Sequence, residues 1–305
     1  MDVEITRPSG QKVRLSDINI VARDFIAKSP ELHSVYSEVD GRNGTVDMGA
    51  TYGRREIIVP FYLDAKDSHD IALLRDELYA LVSTVEPIYI REMRQRSYNP
   101  TYVIDVGEPE RVVEYEDNYV GGKRFKVRLT SSPVEIEQMF TYGFGEIVFE
   151  TVELPFAESI GTTADIDRDG ISSNSELWGF GMGLLADDDS LVYTHTGTSF
   201  KIYNAGNVPI HPFEQRLKIT IEDVAASYSY LELINVTTDT TFRVNEAVKQ
   251  SQKIVLDGPN ITINGLQAFT KTNKQYITLA PGWNYFSVKG TTSAKVSFVF
   301  PFYYL

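Results

Sequence analysis

The sequence contains no cysteine and no apolar stretch long enough to cross a bilayer as a helix. The absence of cysteine excludes disulfide bonds, iron–sulfur clusters, Cys-ligated zinc and thiol nucleophiles. The first seven residues are mostly polar or charged, which argues against a secretory signal peptide. We therefore expect a protein that is made and assembled in a cytoplasm and that does not insert into a membrane.

The motifs that mark common catalytic sites are missing as well. The 4 histidines are scattered without metal-ligand spacing, and the chain has neither a Walker A sequence nor a nucleophile elbow. The glycine-rich segment 179–183 lacks the dinucleotide fingerprint. Nothing singles out a carboxylate pair for glycoside hydrolysis, so a polysaccharide hydrolase is a distant third hypothesis. We expect a protein that is not an enzyme.

The charge distribution divides the chain into three parts. The net charge of −13 disfavours non-specific binding to nucleic acid. Residues 151–196 are strongly acidic and contain Arg168 as their one basic residue, whereas residues 197–305 are mildly basic. A chain of 305 residues fits two domains. We predict a domain over 1–150, an acidic connecting segment over 151–196 and a second domain over 197–305.

The pattern of apolar residues predicts a mostly β protein that is rich in aromatic side chains, with 18 Tyr and 16 Phe. Residues 55–63 alternate as a strand, and Pro60 places that strand at a sheet edge or at a bulge. A helical period over 68–85 predicts one helix, capped by Asp67 or Ser68. Residues 111–130 read as a hairpin that turns at Gly121-Gly122. From about residue 205 short alternating strands predict a β-sandwich.

The order of these elements, together with particular segments, resembles the distal tail protein family of siphophages that infect Gram-positive bacteria. The segments that carry the resemblance are residues 40–44, 48–55, 154–159, 178–181 and 198–207. The single helix and the hairpin that ends at 128–130 follow in the order of the family. The resemblance covers nearly the whole chain.

This resemblance implies a structural virion protein. The N-terminal domain, made of a sheet, a helix and a hairpin, would form a homohexameric ring at the end of the tail tube. The C-terminal domain would be a sandwich that is galectin-like or similar to a carbohydrate-binding module. The ring would join the tail tube protein, the tail-associated adsorption protein and the receptor-binding or baseplate proteins. The alternative function is a carbohydrate-binding module that attaches the virion to polysaccharide of the host cell wall.

Residues 165–176 match the pattern of a calcium-binding loop. The predicted oxygen ligands are the side chains of Asp165, Asp167, Asp169 and Glu176 and the carbonyl of Ile171, a set that suits Ca²⁺. The flanking segments do not read as the paired helices of an EF-hand. The other interpretation is an acidic surface loop whose Asp and Gly residues only form turns.

Two further sets of side chains are candidates for binding. Arg124, Lys126 and Arg128 face outward on the predicted hairpin, where they either contact a neighbouring acidic copy or form an ordinary solvated strand face. Trp283, Tyr285 and Tyr276 either offer aromatic faces to the C–H face of a sugar or belong to a core or an interface.

Overall fold

The computed structural model of the chain describes residues 1–95, 119–171, 177–179, 181–185, 188, 190–225, 227 and 229–305. Up to residue 151 the elements are β1 (Asp2–Thr6), β2 (Lys12–Arg14), β3 (Ile20–Ala22), β4 (Ile26–Ala27), β5 (Leu32–Glu38), β6 (Thr45–Tyr52), β7 (Glu56–Asp64), α1 (Asp70–Val82), β8 (Ile88–Gln95), β9 (Tyr119–Val120), β10 (Lys123–Leu129), β11 (Ile136–Met139) and β12 (Tyr142–Thr151). The later elements are β13 (Ala157–Thr162), α2 (Thr163–Asp169), β14 (Thr194–Gly197), β15 (Ser199–Asn204), β16 (Lys218–Glu222), β17 (Leu231–Asn235), β18 (Thr240–Val244), β19 (Ile254–Asp257), β20 (Asn260–Ile263), β21 (Leu266–Gln267), β22 (Gly282–Lys289), β23 (Ala294–Val299) and β24 (Pro301–Tyr304).

The chain divides into two compact units. The first comprises Met1–Lys28, Glu56–Gly121 and Lys126–Glu150, and the second comprises Ser29–Arg55, Gly122–Phe125 and Thr151–Leu305. The division predicted at residues 150 and 197 stays a prediction. Among the residues that the structure describes, no helix is both long and apolar enough to span a membrane.

The first unit is built on a sheet in the order β2-β1-β8-β10-β12-β7-β3. The predicted inward face of β7 is confirmed, because Ile57, Val59, Phe61 and Leu63 are fully buried. The alternating side chains of a strand point to opposite faces of the sheet, so these four residues cover one side of β7. They anchor the hydrophobic core of the unit.

The prediction that Pro60 lies at a sheet edge is wrong, but its alternative, a bulge, agrees with a one-residue slip in register beside Pro60, between the pair Ala22–Phe61 and the pair Ile26–Ile58. Strand β7 pairs with β12 on one side, where Glu146 lies opposite Pro60, and with β3 and β4 on the other. Proline lacks an amide hydrogen, and the break between β3 and β4 falls beside it, so no ladder partner is left without a donor. The carbonyl of Pro60 accepts a hydrogen bond from the amide of Arg23 at 2.8 Å.

The predicted helix is present as α1. The carboxylate of Asp67 accepts hydrogen bonds from the amides of His69 and Asp70 at 2.8 and 3.1 Å, which lowers the pKa of Asp67. The buried stripe ends earlier than the sequence suggests, since α1 stops at Val82 and Val85 is almost fully exposed. The chain leaves the helix at Ser83, whose backbone is no longer helical.

The predicted hairpin at 111–130 is described only in part, because residues 111–118 lie outside the described residues. Its return strand is present as β10, with Phe125 and Val127 buried. The short strand β9 precedes the Gly121-Gly122 dipeptide and pairs with β8. Strand predictions for residues 101–106 also lie outside the described residues.

The C-terminal part of the second unit contains a six-stranded sheet, β14-β23-β16-β19-β20-β21, and a four-stranded sheet, β15-β22-β17-β18. Their inner faces meet through aromatic rings, since Phe286 of β22 lies 4.8 Å from Phe298 of β23, measured between centroids. Near the start of β22 two buried asparagines are paired, since the side-chain amide of Asn235 donates to Oδ1 of Asn284 at 3.0 Å. The sheets therefore pack as two layers around an aromatic core.

Substitution of Phe286 by Ala should lower the free energy of unfolding by about 3–5 kcal/mol, because it leaves a cavity beside the rings of Phe200 and Phe298. The neighbouring Tyr285→Ala is the matched control, since Tyr285 is exposed on the opposite face and should change stability by less than about 0.5 kcal/mol. Urea denaturation of both variants measures the difference. Equal losses would show that the alternation along β22 is wrong.

Candidate assembly surface and ligand sites

The most exposed apolar element in the described residues is the hairpin of β5 and β6, which we call the arm and define as residues 32–52. Its strands pair antiparallel from Leu32 opposite Tyr52 to Glu38 opposite Thr45. Gly41 and Gly44 adopt positive φ angles of 78° and 81°, which lets the chain reverse between the strands. The two strands form a sheet of their own.

Both strands of the arm are open to solvent along nearly their whole length. Six apolar or aromatic side chains of the arm are 50–64% exposed: Leu32, Val35, Tyr36, Val39, Met48 and Tyr52. Scattered apolar residues are normal on a protein surface, but a contiguous group of this kind marks an interaction site. The sequence contained a signal for it, because the turn at 40–44 is flanked by these residues, yet alternation alone does not tell whether a strand will be covered.

The root of the arm is fixed to the following segment by backbone hydrogen bonds. The amide of Glu31 donates to the carbonyl of Arg54 at 2.9 Å, and the amide of Gly53 donates to the carbonyl of Glu31 at 2.8 Å. The ring of Tyr52 meets that of Phe156 edge to face, with centroids 5.7 Å apart. The arm is therefore anchored at one end only in the described part of the chain.

A second aromatic group lies in the first unit, on the outer side of β7 and β12, and two of its three rings are exposed whereas that of Tyr62 is half-buried. We call Tyr62, Tyr142 and Phe144 the aromatic face. Tyr62 pairs directly with Phe144 across the two strands, and their ring centroids are 6.3 Å apart. The ring of Tyr142 lies 6.4 Å from Phe144. The opposite side of β7 forms the core, so this face is the one left toward solvent.

The cationic residues predicted as an oligomer interface are only partly directed outward. Arg124 forms an ion pair with Glu158 at 2.8 Å, and the same carboxylate binds Arg216 at 2.7 Å. Glu158 thus holds two guanidinium groups of its own chain. Arg128 is exposed at the end of β10, and Lys126 is half-buried. An interface role for Arg124, Lys126 and Arg128 stays a prediction.

The residues of the predicted calcium loop begin in a helix. Asp165, Asp167 and Asp169 lie in α2, where side chains two positions apart point to opposite sides. Arg168 donates to both Asp165 and Asp169, at 2.9 and 2.7 Å. Asp167 accepts the amide hydrogen of Tyr193 at 2.8 Å.

These contacts decide what calcium binding would require. Burial alone raises the pKa of Asp165, but its hydrogen bonds with Thr162 and Arg168 lower the pKa overall, so this carboxylate is held in its charged form. A cation would have to displace Arg168 and unwind α2. Glu176 lies outside the described residues, and in the part of the chain that is described no three His, Asp or Glu residues cluster as metal ligands. Calcium binding by this set, with the carbonyl of Ile171, stays a prediction.

The three aromatic residues predicted to bind sugar occupy two places. Trp283 and Tyr285 share the outer face of β22, where the ammonium of Lys201 lies 3.8 Å from the centroid of the Trp283 ring. Tyr285 is 56% exposed. Tyr276 instead packs against Phe213 at 4.6 Å and donates its hydroxyl to the carbonyl of Pro259 at 3.0 Å.

Comparison with known proteins identifies the N-terminal part of the chain. Residues 9–151 match the phage tail protein RIFT-related domain. No curated protein sequence is significantly similar to the chain.

Solved structures match over the full length. The chain is similar to the Dit protein of phage SPP1, which is described as a paradigm of the hub adsorption apparatus in phages that infect Gram-positive bacteria. The two sequences are 12% identical, the match covers 98% of this chain and 99% of that chain, and the TM-score is 0.59. It also matches a chain of the phage p2 baseplate in its activated conformation, at 9% identity over 98% of this chain and 97% of that one, with a TM-score of 0.38.

The calcium hypothesis makes a calorimetric prediction. Titration of the chain with Ca²⁺ should release or absorb heat at millimolar concentrations, since displacing Arg168 weakens the site, and Asp169→Ala should abolish the signal. Asp76→Ala, which removes an exposed carboxylate on α1, is the control and should leave the binding curve unchanged. Absence of heat from the wild-type chain at millimolar Ca²⁺ would end the hypothesis.

Proposed function

We propose that this chain, a siphophage distal tail protein, is a structural hub that assembles into a ring at the end of the phage tail. The assignment to this family is supported by the tail-protein domain that matches residues 9–151 and by the order of the helices and strands along the chain. In this role the protein works by binding other proteins, and no substrate is converted.

The observation that carries the proposal is the exposed arm. A two-stranded hairpin is at best marginally stable alone in water, so an arm of this length with exposed apolar side chains calls for a covering surface. We assign that cover to a second copy of the chain. The aromatic face of the first unit is the matching surface, because it is aromatic, it exposes Tyr142 and Phe144, and it is different from the arm.

Contact between two different surfaces of identical copies is heterologous, and such contacts close into a ring when the rotation between copies is a whole fraction of a turn. Six copies are what the resemblance to siphophage distal tail proteins implies. The ring would connect the tail tube protein with the tail-associated adsorption protein and the receptor-binding or baseplate proteins. The site of action is then the virion, after assembly in the host cytoplasm.

Substitution of Val35 in the arm by Asp should weaken the ring by at least about tenfold, because burying a valine stabilises a contact by about 1.5–3 kcal/mol and a buried carboxylate opposes it. Native mass spectrometry over a concentration series measures the effect. Because Val35 is exposed in the single chain, the melting temperature of the monomer should hardly change.

The matched control is Val85→Asp, the same substitution at a valine that is also exposed but lies outside the arm. Its ring should be as stable as that of the wild type. A wild-type chain that stays monomeric at about 100 µM, or equal behaviour of the two variants, would refute the assignment.

A second candidate function is attachment to host wall polysaccharide, which the outer face of β22 favours. Tyr285 exposes most of its ring beside Trp283, and an exposed aromatic ring suits the C–H face of a pyranose. Lys201 and the hydroxyls of Tyr203 and Tyr285 offer polar contacts on the same two strands. The two functions do not compete, because the arm and this face are separate surfaces of the second unit.

Binding to purified wall polysaccharide should fall at least about tenfold in Tyr285→Ala and in Trp283→Ala, since each removes a stacking surface. Phe140→Ala is the control, because Phe140 is also an exposed aromatic residue but lies in the first unit. Biolayer interferometry with immobilised polysaccharide measures the change. A wild-type chain that binds no wall polymer would count against this second function.

A further inference from the structure

The turn of the arm contains one of the two Asn-Gly pairs of the chain, Asn43-Gly44. The other pair, Asn264-Gly265, joins β20 to β21. Asparagine before glycine readily loses its side-chain amide, because glycine has no Cβ to shield its backbone nitrogen and its backbone rotates freely. All four residues are exposed to water. The two pairs therefore share one chemistry and one solvent, and the fold decides how they differ.

The second pair is held in a tight turn. Ile263 lies opposite Leu266 in the strand pairing, and the φ angles of Asn264 and Gly265 are 51° and 77°, as in the type I′ turn of a two-residue hairpin. The side-chain oxygen of Asn264 accepts a hydrogen bond from the amide of Lys253 at 2.8 Å, and the backbone amide of Asn264 donates to the carbonyl of Lys253 at 2.8 Å. The side chain of Asn264 is thereby fixed toward Lys253.

The first pair lies in a longer and more open connection. Glu38 opposite Thr45 is the last strand pair of the arm, so residues 39–44 form the loop between the strands. Of the atoms that the structure describes, none lies within 4 Å of the position that a Cβ on Gly44 would occupy. No described residue holds the side chain of Asn43 in the way that Lys253 holds that of Asn264.

We propose that Asn43 is a site of spontaneous covalent modification, which the fold selects over Asn264 and at which the side-chain amide becomes an acid. The backbone nitrogen of Gly44 loses its proton to hydroxide and attacks the side-chain carbonyl carbon of Asn43. A carbon–nitrogen bond forms between them, the bond from that carbon to the side-chain nitrogen breaks, and ammonia leaves with a proton from water. Water then opens the resulting succinimide ring at one of its two carbonyls, so the product is aspartate or isoaspartate.

The reaction requires the asparagine side chain to turn until its carbonyl carbon faces the nitrogen of the next residue. Asn43 reaches this arrangement by rotation about its own bonds, whereas Asn264 must first give up its hydrogen bond with Lys253 and leave the geometry of its turn. The product adds one negative charge to the arm, and isoaspartate also lengthens the backbone by a methylene group. The modification needs no second copy, so it does not rest on the ring proposed above.

The test incubates the full chain in heavy-oxygen water at mildly alkaline pH and follows both pairs by mass spectrometry after digestion in ordinary water. The heavy oxygen labels acid that forms during the incubation. The labelled acid should accumulate at residue 43 at least about tenfold faster than at residue 264, because the hydrogen bonds of Asn264 oppose its rotation. The rate at residue 43 should rise with hydroxide concentration. Equal rates at the two sites of the folded chain would overturn the proposal.

Two controls separate the fold from the local sequence. In concentrated urea both pairs are unfolded, so their rates should become similar, and a preference for Asn43 that is as large in urea as in the folded chain would contradict selection by the fold. The variant Asn43→Gln keeps an amide but would have to close a six-membered ring, which forms far more slowly. Its labelled acid at residue 43 should be lost, while the rate at Asn264 stays that of the wild type.

Self-association is controlled in the same experiment. Val35→Asp, which should weaken the ring, is incubated beside the wild type, so that the loop is followed both in the chain that assembles and in the chain that does not. Labelled acid at residue 43 of either chain, ahead of that at residue 264, supports the proposal. Its absence from residue 43 in both chains overturns the proposal, whatever their oligomeric state, and leaves the ring to be judged from the mass of the assembly.

Discussion

Two strands joined by a turn have no interior, and this constraint governs the arm. A residue in a larger sheet can turn an apolar side chain toward a core and a polar one toward water. The arm has a sheet to itself and offers both faces to solvent, so Val35, Tyr36 and Met48 are exposed together. Within the described part of the chain nothing covers these side chains, so the free energy of burying them is not gained there. The arm therefore presents an apolar surface that a binding partner could cover.

Charge is balanced within the chain at two buried or half-buried places. Glu4 pairs with Arg91, and Glu158 binds both Arg124 and Arg216, so these cations are neutralised where they lie. A buried charge without a partner is costly, whereas the same charge with a well-placed partner gives specificity more than stability. These ion pairs therefore fix which segments of the chain lie next to one another.

Sequence periodicity was sufficient to predict which side chains are buried in helices and strands that have one face toward a core. The buried stripe of α1 and the inward face of β7 follow directly from spacings of 3.6 and 2 residues, as does the opposition of Tyr285 and Phe286. Each of these elements has one face toward a core, so the pattern and the burial agree. The prediction of a sheet edge at Pro60 failed because the position of a strand in a sheet depends on partners that are distant in sequence.

A local sequence pattern did not predict the structure where the same pattern is compatible with several backbone conformations. Alternating Asp residues and a glycine fit a calcium loop, yet Thr162 and Asp165 form a capping box that starts a helix through the same residues. Tyr276 and Tyr285 are close in sequence but contact different neighbours, because only Tyr285 lies within β22. The exposure of the arm could not be read from alternation, since a strand that is covered by another molecule has the same pattern as one that is covered by its own chain.

The low sequence identity between this chain and the SPP1 Dit protein has a physical explanation. Nearly the full length of both chains superposes in fold while only 12% of residues are identical. Hydrophobic patterning tolerates wide substitution as long as volume and alternation are kept. The likeness therefore shows a shared fold and leaves the surface residues of the two chains free to differ. Which exposed side chains of this protein form a contiguous apolar surface, as those of the arm do, has to be judged from its own structure.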